Sequence, residues 1–241
     1  MLPKILAIII LIAVSVLGLG FFLSNNPQIA QKIKPAGPAP WEFKEKPACP
    51  NPLILQTPVD MNKVTSILYP GQVRGGDFKP HGGFRFDSSK NEDIEIKAPI
   101  DAEFDSASRY IEQGEMQYLF DFRTSCGIMY RFDHLLTLTP KFAEIAKELP
   151  DAKEHDSRTS QIKSKVSVKK GEIIASGVGL RNNKNVFVDF GVYDMRGKIF
   201  QGPRQNAICW FDLLPASDSA KVKSLPPADS ISGSQSILCK P

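Results

Sequence analysis

What the chain lacks narrows its class first. None of the four cysteines, Cys49, Cys126, Cys209 and Cys239, stands within three residues of another, so the Cys-x-x-Cys spacing of a zinc knuckle or redox motif is missing. The 30 lysines and arginines against 26 acids leave a net charge of only +4, with no dense basic run and no aromatic interleaving, which argues against a nucleic-acid surface. Helical periodicity is scarce as well. A single stripe, Phe142, Ile145, Ala146 and Leu149, predicts a helix over residues 139–149, with Thr139 at the cap and Pro140 in the first turn. A helical bundle is therefore excluded, and the rest of the chain must bury its apolar residues some other way.

What is there divides by composition. Ile5 to Leu23 carries no charge and is long enough to cross most of a hydrocarbon core of about 30 Å, so residues 1–24 read as a membrane anchor, with a cleaved signal peptide as the competing reading. Residues 25–52 are polar and rich in proline, including Pro35, Pro38 and Pro40, as in a semi-rigid spacer. Residues 53–214 hold the apolar segments of one globular domain, and residues 215–241 read as a polar tail. With Lys4 on the cytoplasmic side the domain would lie outside, where an even number of cysteines permits two disulfides in any of three connectivities; bridges tying the flanks to the domain are the favoured form.

Within the domain, strands dominate. Tyr118 to Arg123 and Ile128 to His134 are rich in aromatic and β-branched residues and are joined by Thr124-Ser125-Cys126-Gly127, which predicts a hairpin. In Pro80 to Asp87 the period of two sets Phe84 and Phe86 on one face and His81, Gly83, Arg85 and Asp87 on the other. The fold class implied is mainly β and antiparallel, a sheet or sandwich with one inserted helix. Residues 151–165, with His155, read as an exposed polar loop.

Three further segments follow His81 in order: Ile96 to Phe104, Ile128 to Leu135 with Tyr130 and His134, and Val168 to Ala175 followed by Val186 to Val192. In this order they resemble the lysostaphin/LytM-type zinc peptidases of the cell wall, over roughly residues 65–195. The resemblance implies a duplicated hybrid β motif. It also implies a zinc held by a His-x-x-x-Asp pair and the second histidine of a His-x-His, with a Tyr-x-His-Leu strand carrying a catalytic histidine. Carried over residue by residue, His81 matches the first ligand and His134 the catalytic histidine. Arg85 stands at the aspartate, Phe187 at the first histidine of the last motif and Asp189 at the third ligand. Arginine has no lone pair for a metal, so the family's site cannot be built unchanged.

The resemblance then implies a catalytically degenerate, membrane-anchored domain that binds a cell-envelope polymer or envelope protein in a pocket of His81, Arg85, His134, Phe187 and Asp189, with no cofactor. An Arg85–Asp189 ion pair would replace the metal. The alternatives are an active zinc endopeptidase, with His81 and Asp189 on the metal, Asp87 or Asp133 as third ligand and His134 as acid and base, or an envelope assembly adaptor. A regular strand would turn Asp133 away from His134. The apolar run predicts that the protein sediments with membranes; protease cleavage within residues 151–165 only from the cytoplasmic side would overturn the orientation.

Overall fold

The computed structural model describes residues 47–196, 203–228 and 235–239. The apolar run Ile5 to Leu23 lies outside them, as does most of the proline-rich spacer, and among the described residues no helix is long and apolar enough to cross a membrane.

The alternating apolar residues become strands because each buries one face against the next. The main sheet runs β1 (Ser66–Leu68), β4 (Gly82–Arg85), β12 (Phe187–Asp194), β8 (Ile128–Leu138), β7 (Glu115–Arg123), β6 (Ala102–Glu112) and β10 (Ser167–Val168). Three short additions complete it: β9 (Ser160–Gln161) on β6, β11 (Ile173–Val178) on β8, and β5 (Ile96–Lys97) on β11. Every pairing is antiparallel, as the sequence pattern implied. A separate hairpin joins β2 (Gln72–Arg74) to β3 (Asp77–Lys79) through Gly75 and Gly76, whose φ of 58° and 83° suit the left-handed turn.

The core is aromatic. Phe84, Phe86, Phe120, Phe122, Phe132, Phe142, Phe190 and Trp210 are fully buried. Phe84 meets Trp210 and Phe132 meets Phe190 at 5.0 and 5.2 Å between ring centroids, so the sheet's inner face is stitched across β4, β12 and β8. The helix is Pro140–Ala146, shorter than the stripe suggested. Thr139 caps it by position but gives its hydroxyl to Ile173 O at 3.3 Å instead. Residues 147–149 continue with i to i−3 bonds, and Leu149 is still buried. Phe142 seats the helix on Phe104, Phe120 and Phe122.

Residues 215–241 are not a tail where they are described. Ala216–Ser224 is a helix with Val222 fully buried, and Pro227 forms a parallel bridge to Ile67 that covers the outer edge of β1. Composition misled because most of this helix is polar while a single buried valine anchors it.

The cysteines pair as Cys49–Cys126 and Cys209–Cys239. The first ties the amino-terminal flank to the β7–β8 turn; the second ties residue 239 back across 30 positions. The Cys49–Cys126 link closes a loop of 77 positions, for which chain entropy gives about 4 kcal/mol. Replacing Cys126 by Ser should lower stability by about 2–4 kcal/mol in a denaturant titration; a loss under about 1 kcal/mol would show that packing alone holds the flank.

Candidate functional site

The site grows from three neighbouring strands. In the register of β4, β12 and β8, Gly83 lies opposite Asp189, and Asp189 opposite Asp133, so the three form one row across the same face of the sheet. Gly83 is needed there. A Cβ on it would stand 2.5 Å from Val188 O and 3.1 Å from Asp189 Oδ1, so a side chain would collide with the neighbouring strand.

β8 is not regular. Its first half, Ile128 to Asp133, pairs with β12, whereas Leu135, Thr137 and Leu138 pair with β11. At the join one extra residue is inserted relative to β7, where Tyr118 faces Leu135 and Phe120 faces Phe132. His134 sits in this bulge with φ of 63°, its carbonyl accepting from Gly179 N at 2.8 Å. The regular alternation that would turn Asp133 away from His134 is broken at this bulge, and both line the same cleft.

Asp133 Oδ1 accepts from the Tyr110 hydroxyl at 2.7 Å and from His134 N at 2.8 Å. Burial and the Asp133 carboxylate push the Tyr110 phenol far above its ordinary value, so it stays a donor. Gln117 Nε2 donates to Gly179 O at 3.2 Å, which turns its carbonyl oxygen toward His134 Nδ1 at 3.3 Å. A carbonyl only accepts, so Nδ1 carries a proton in this contact. The imidazole rests on the Phe187 ring, 4.5 Å between centroids.

His81 and Asp189 meet directly, Nε2 to Oδ2 at 2.9 Å. Burial acts to raise the Asp189 carboxyl, but the charge and hydrogen bond of His81, with His134 and Arg74 nearby, outweigh it and hold the group well below the usual carboxylate range. His81 Nδ1 is buried and has no hydrogen-bond partner among the described residues.

These groups floor a cleft of about 820 Å³. Every residue of the expected pocket, His81, Arg85, His134, Phe187 and Asp189, lines it. The expected Arg85–Asp189 ion pair does not form: Arg85 turns along its own strand to Asp87 at 3.4 Å, and histidine takes the carboxylate instead. The reason is register, since Arg85 stands opposite Phe187 and Gly83 opposite Asp189. Other walls carried no signal in the sequence pattern. Arg74, from the β2–β3 hairpin, donates to His81 O at 3.1 Å, and Tyr110 arrives from β6. His155 is exposed as expected, yet it stands at the rim, bonded to Glu112 at 3.0 Å, so all three histidines of the chain face one cleft. The Arg-Gly-Gly-Asp turn at 74–77 was the one feature that could have placed Arg74.

The resemblance implies a zinc ion, and the residues do not fit one. Of the three aligned ligand positions only His81 keeps the family's residue; it bonds to Asp189, which stands where the family has a histidine, and the remaining position is an arginine. Asp87 accepts from Thr65 at 2.7 Å as well as from Arg85, and Asp133 is engaged by Tyr110. Among the described residues no group of three or more His, Cys, Asp or Glu could hold a metal. No family model matches the chain, and no curated protein matches it.

Because the Asp189 carboxyl is depressed in the fold, the stability it contributes is complete above its unfolded value of about 3.9 and is lost as pH falls toward the depressed one. Asp189→Asn should therefore cost about 1–3 kcal/mol at neutral pH, and the gap to wild type should close below about pH 4. A gap that stays constant down to about pH 2.5 would show that the lost contact is not ionic.

Proposed function

We propose that the chain is a catalytically degenerate domain of the lysostaphin/LytM type, anchored by its amino-terminal apolar segment outside the cytoplasm, and that its cleft binds a cell-envelope polymer or envelope protein. The observation that carries the reading is the 2.9 Å bond between His81 and Asp189. It occupies, with protein donors and acceptors, the two positions that the resemblance assigns to metal ligands, while Arg85 stands at the third. A site arranged in this way keeps its shape and its polar floor but has no donor set for a Lewis acid.

Several features support binding rather than bare structure. The cleft is large enough for a small oligomeric ligand, is lined by ionisable groups of both signs, and keeps Phe187 as an aromatic surface beside His134. The ordered network of Tyr110, Asp133, His134 and Gln117 preorganises donors and acceptors before a ligand arrives. Two disulfides suit an oxidising compartment, in keeping with an extracytoplasmic domain.

Co-sedimentation with insoluble peptidoglycan, combined with elemental analysis, tests the reading. The protein should pellet with the polymer, release no soluble fragments and hold no stoichiometric zinc. About one equivalent of tightly held zinc, lost on Asp189→Ala and accompanied by polymer cleavage, would replace this reading with the active endopeptidase. Capture of an envelope protein with no polymer binding would favour the adaptor.

A further inference from the structure

The geometry points to a primary ammonium group as what the cleft floor holds, and to an amino acid or short peptide with a free amino end and a free carboxylate as the ligand class. This rests on the cleft being a binding site. Asp133 and Asp189 leave the sheet side by side, and both are more than nine-tenths buried, at 9% and 8% exposure. Each has one oxygen committed to the protein: Asp189 Oδ2 to His81, and Asp133 Oδ1 to Tyr110 and to the His134 backbone. Among the described residues the second oxygen of each has no donor. The space next to Asp189 Oδ1 is kept open by Gly83, whose missing Cβ would stand 3.1 Å from that oxygen.

The His134 ring stands beside them. Its Nδ1 lies 3.3 Å from the Gln117 carbonyl oxygen, which Gly179 O fixes in place, and its Nε2 has no partner among the described residues. The floor thus offers two carboxylate oxygens and one imidazole nitrogen without partners among the described residues, on adjoining strand positions. A primary ammonium carries three donors on a compact positive charge and matches that set; a sugar hydroxyl brings one donor and no charge to offset two buried carboxylates.

The far end of the ligand is set by Arg85. It lies two residues along β4 from Gly83, about 7 Å away on the same face. Its only ion-pair contact among the described residues is the one to Asp87 at 3.4 Å, so part of its fork is available for a ligand carboxylate. Amine and carboxylate must then be separated by several bonds, as in a dipeptide.

Titration of diglycine, N-acetyldiglycine and diglycinamide into the isotope-labelled full chain, followed by NMR, tests this on unaltered protein. Diglycine should bind in about the millimolar range expected of so small a ligand. Acetylating the amine should weaken binding about tenfold or more, and amidating the carboxylate by about threefold. Asp133→Asn should remove the preference for the free amine, whereas Arg85→Ala should remove only the preference for the free carboxylate. Equal binding of all three compounds, no binding of any, or tighter binding of N-acetylglucosamine than of diglycine would each overturn the inference. If the protein still pellets with peptidoglycan in those cases, the cleft remains an envelope-binding site with a different ligand chemistry. Amine-dependent binding without polymer binding would instead support the ammonium site and overturn the envelope-polymer reading.

Discussion

One bulge in one strand decides how the site is assembled. β8 is shared between β12 along its first half and β11 along its second, and a regular strand could not serve both without shearing its hydrogen bonds. Inserting a residue at Asp133 and His134 absorbs the change of partner. It costs a left-handed backbone at a residue that is not glycine, of the order of 1–3 kcal/mol, which the surrounding ladder and the Gly179 contact to the His134 carbonyl must offset. In return, two consecutive side chains face the cleft where a regular strand would show one.

The second constraint is charge. A carboxylate as buried as Asp189 requires a partner, and the fold supplies His81 by direct hydrogen bond and Arg74 and His134 through space. A metal ion and an imidazole meet that need in different ways. The ion would draw several donors into one coordination sphere, whereas the imidazole satisfies a single oxygen and leaves the others facing the cleft. Which arrangement forms depends on the residue at one position, Arg85, and on the register that turns it toward Asp87.

The cleft also depends on segments far from the three floor strands. The β2–β3 hairpin brings Arg74 to His81, β6 brings Tyr110, and the loop after the helix sets His155 against Glu112 at the rim. The hairpin is braced from behind: Ile237 N donates to Gly71 O, and the Leu238 side chain packs where a Cβ on Gly71 would be. The Cys209–Cys239 bridge holds that brace in place. Residues that read as a tail thus support a wall of the pocket.

The sequence by itself determined the strands, their antiparallel hairpins, the buried Phe84 and Phe86 face and the helix start, because alternation, turn residues and capping act over a few residues. It also brought His81, Arg85, His134, Phe187 and Asp189 together, through motif order. Only the tertiary structure decided who pairs with whom. Cross-strand register set Gly83, not Arg85, against Asp189; the change of partner along β8 turned His134 to the side of Asp133; and Arg74, Tyr110 and His155 arrived from elements without any local signal of proximity. Local pattern fixes which face a side chain takes, but contact across strands depends on long-range register, and register is settled only when the whole sheet packs at once.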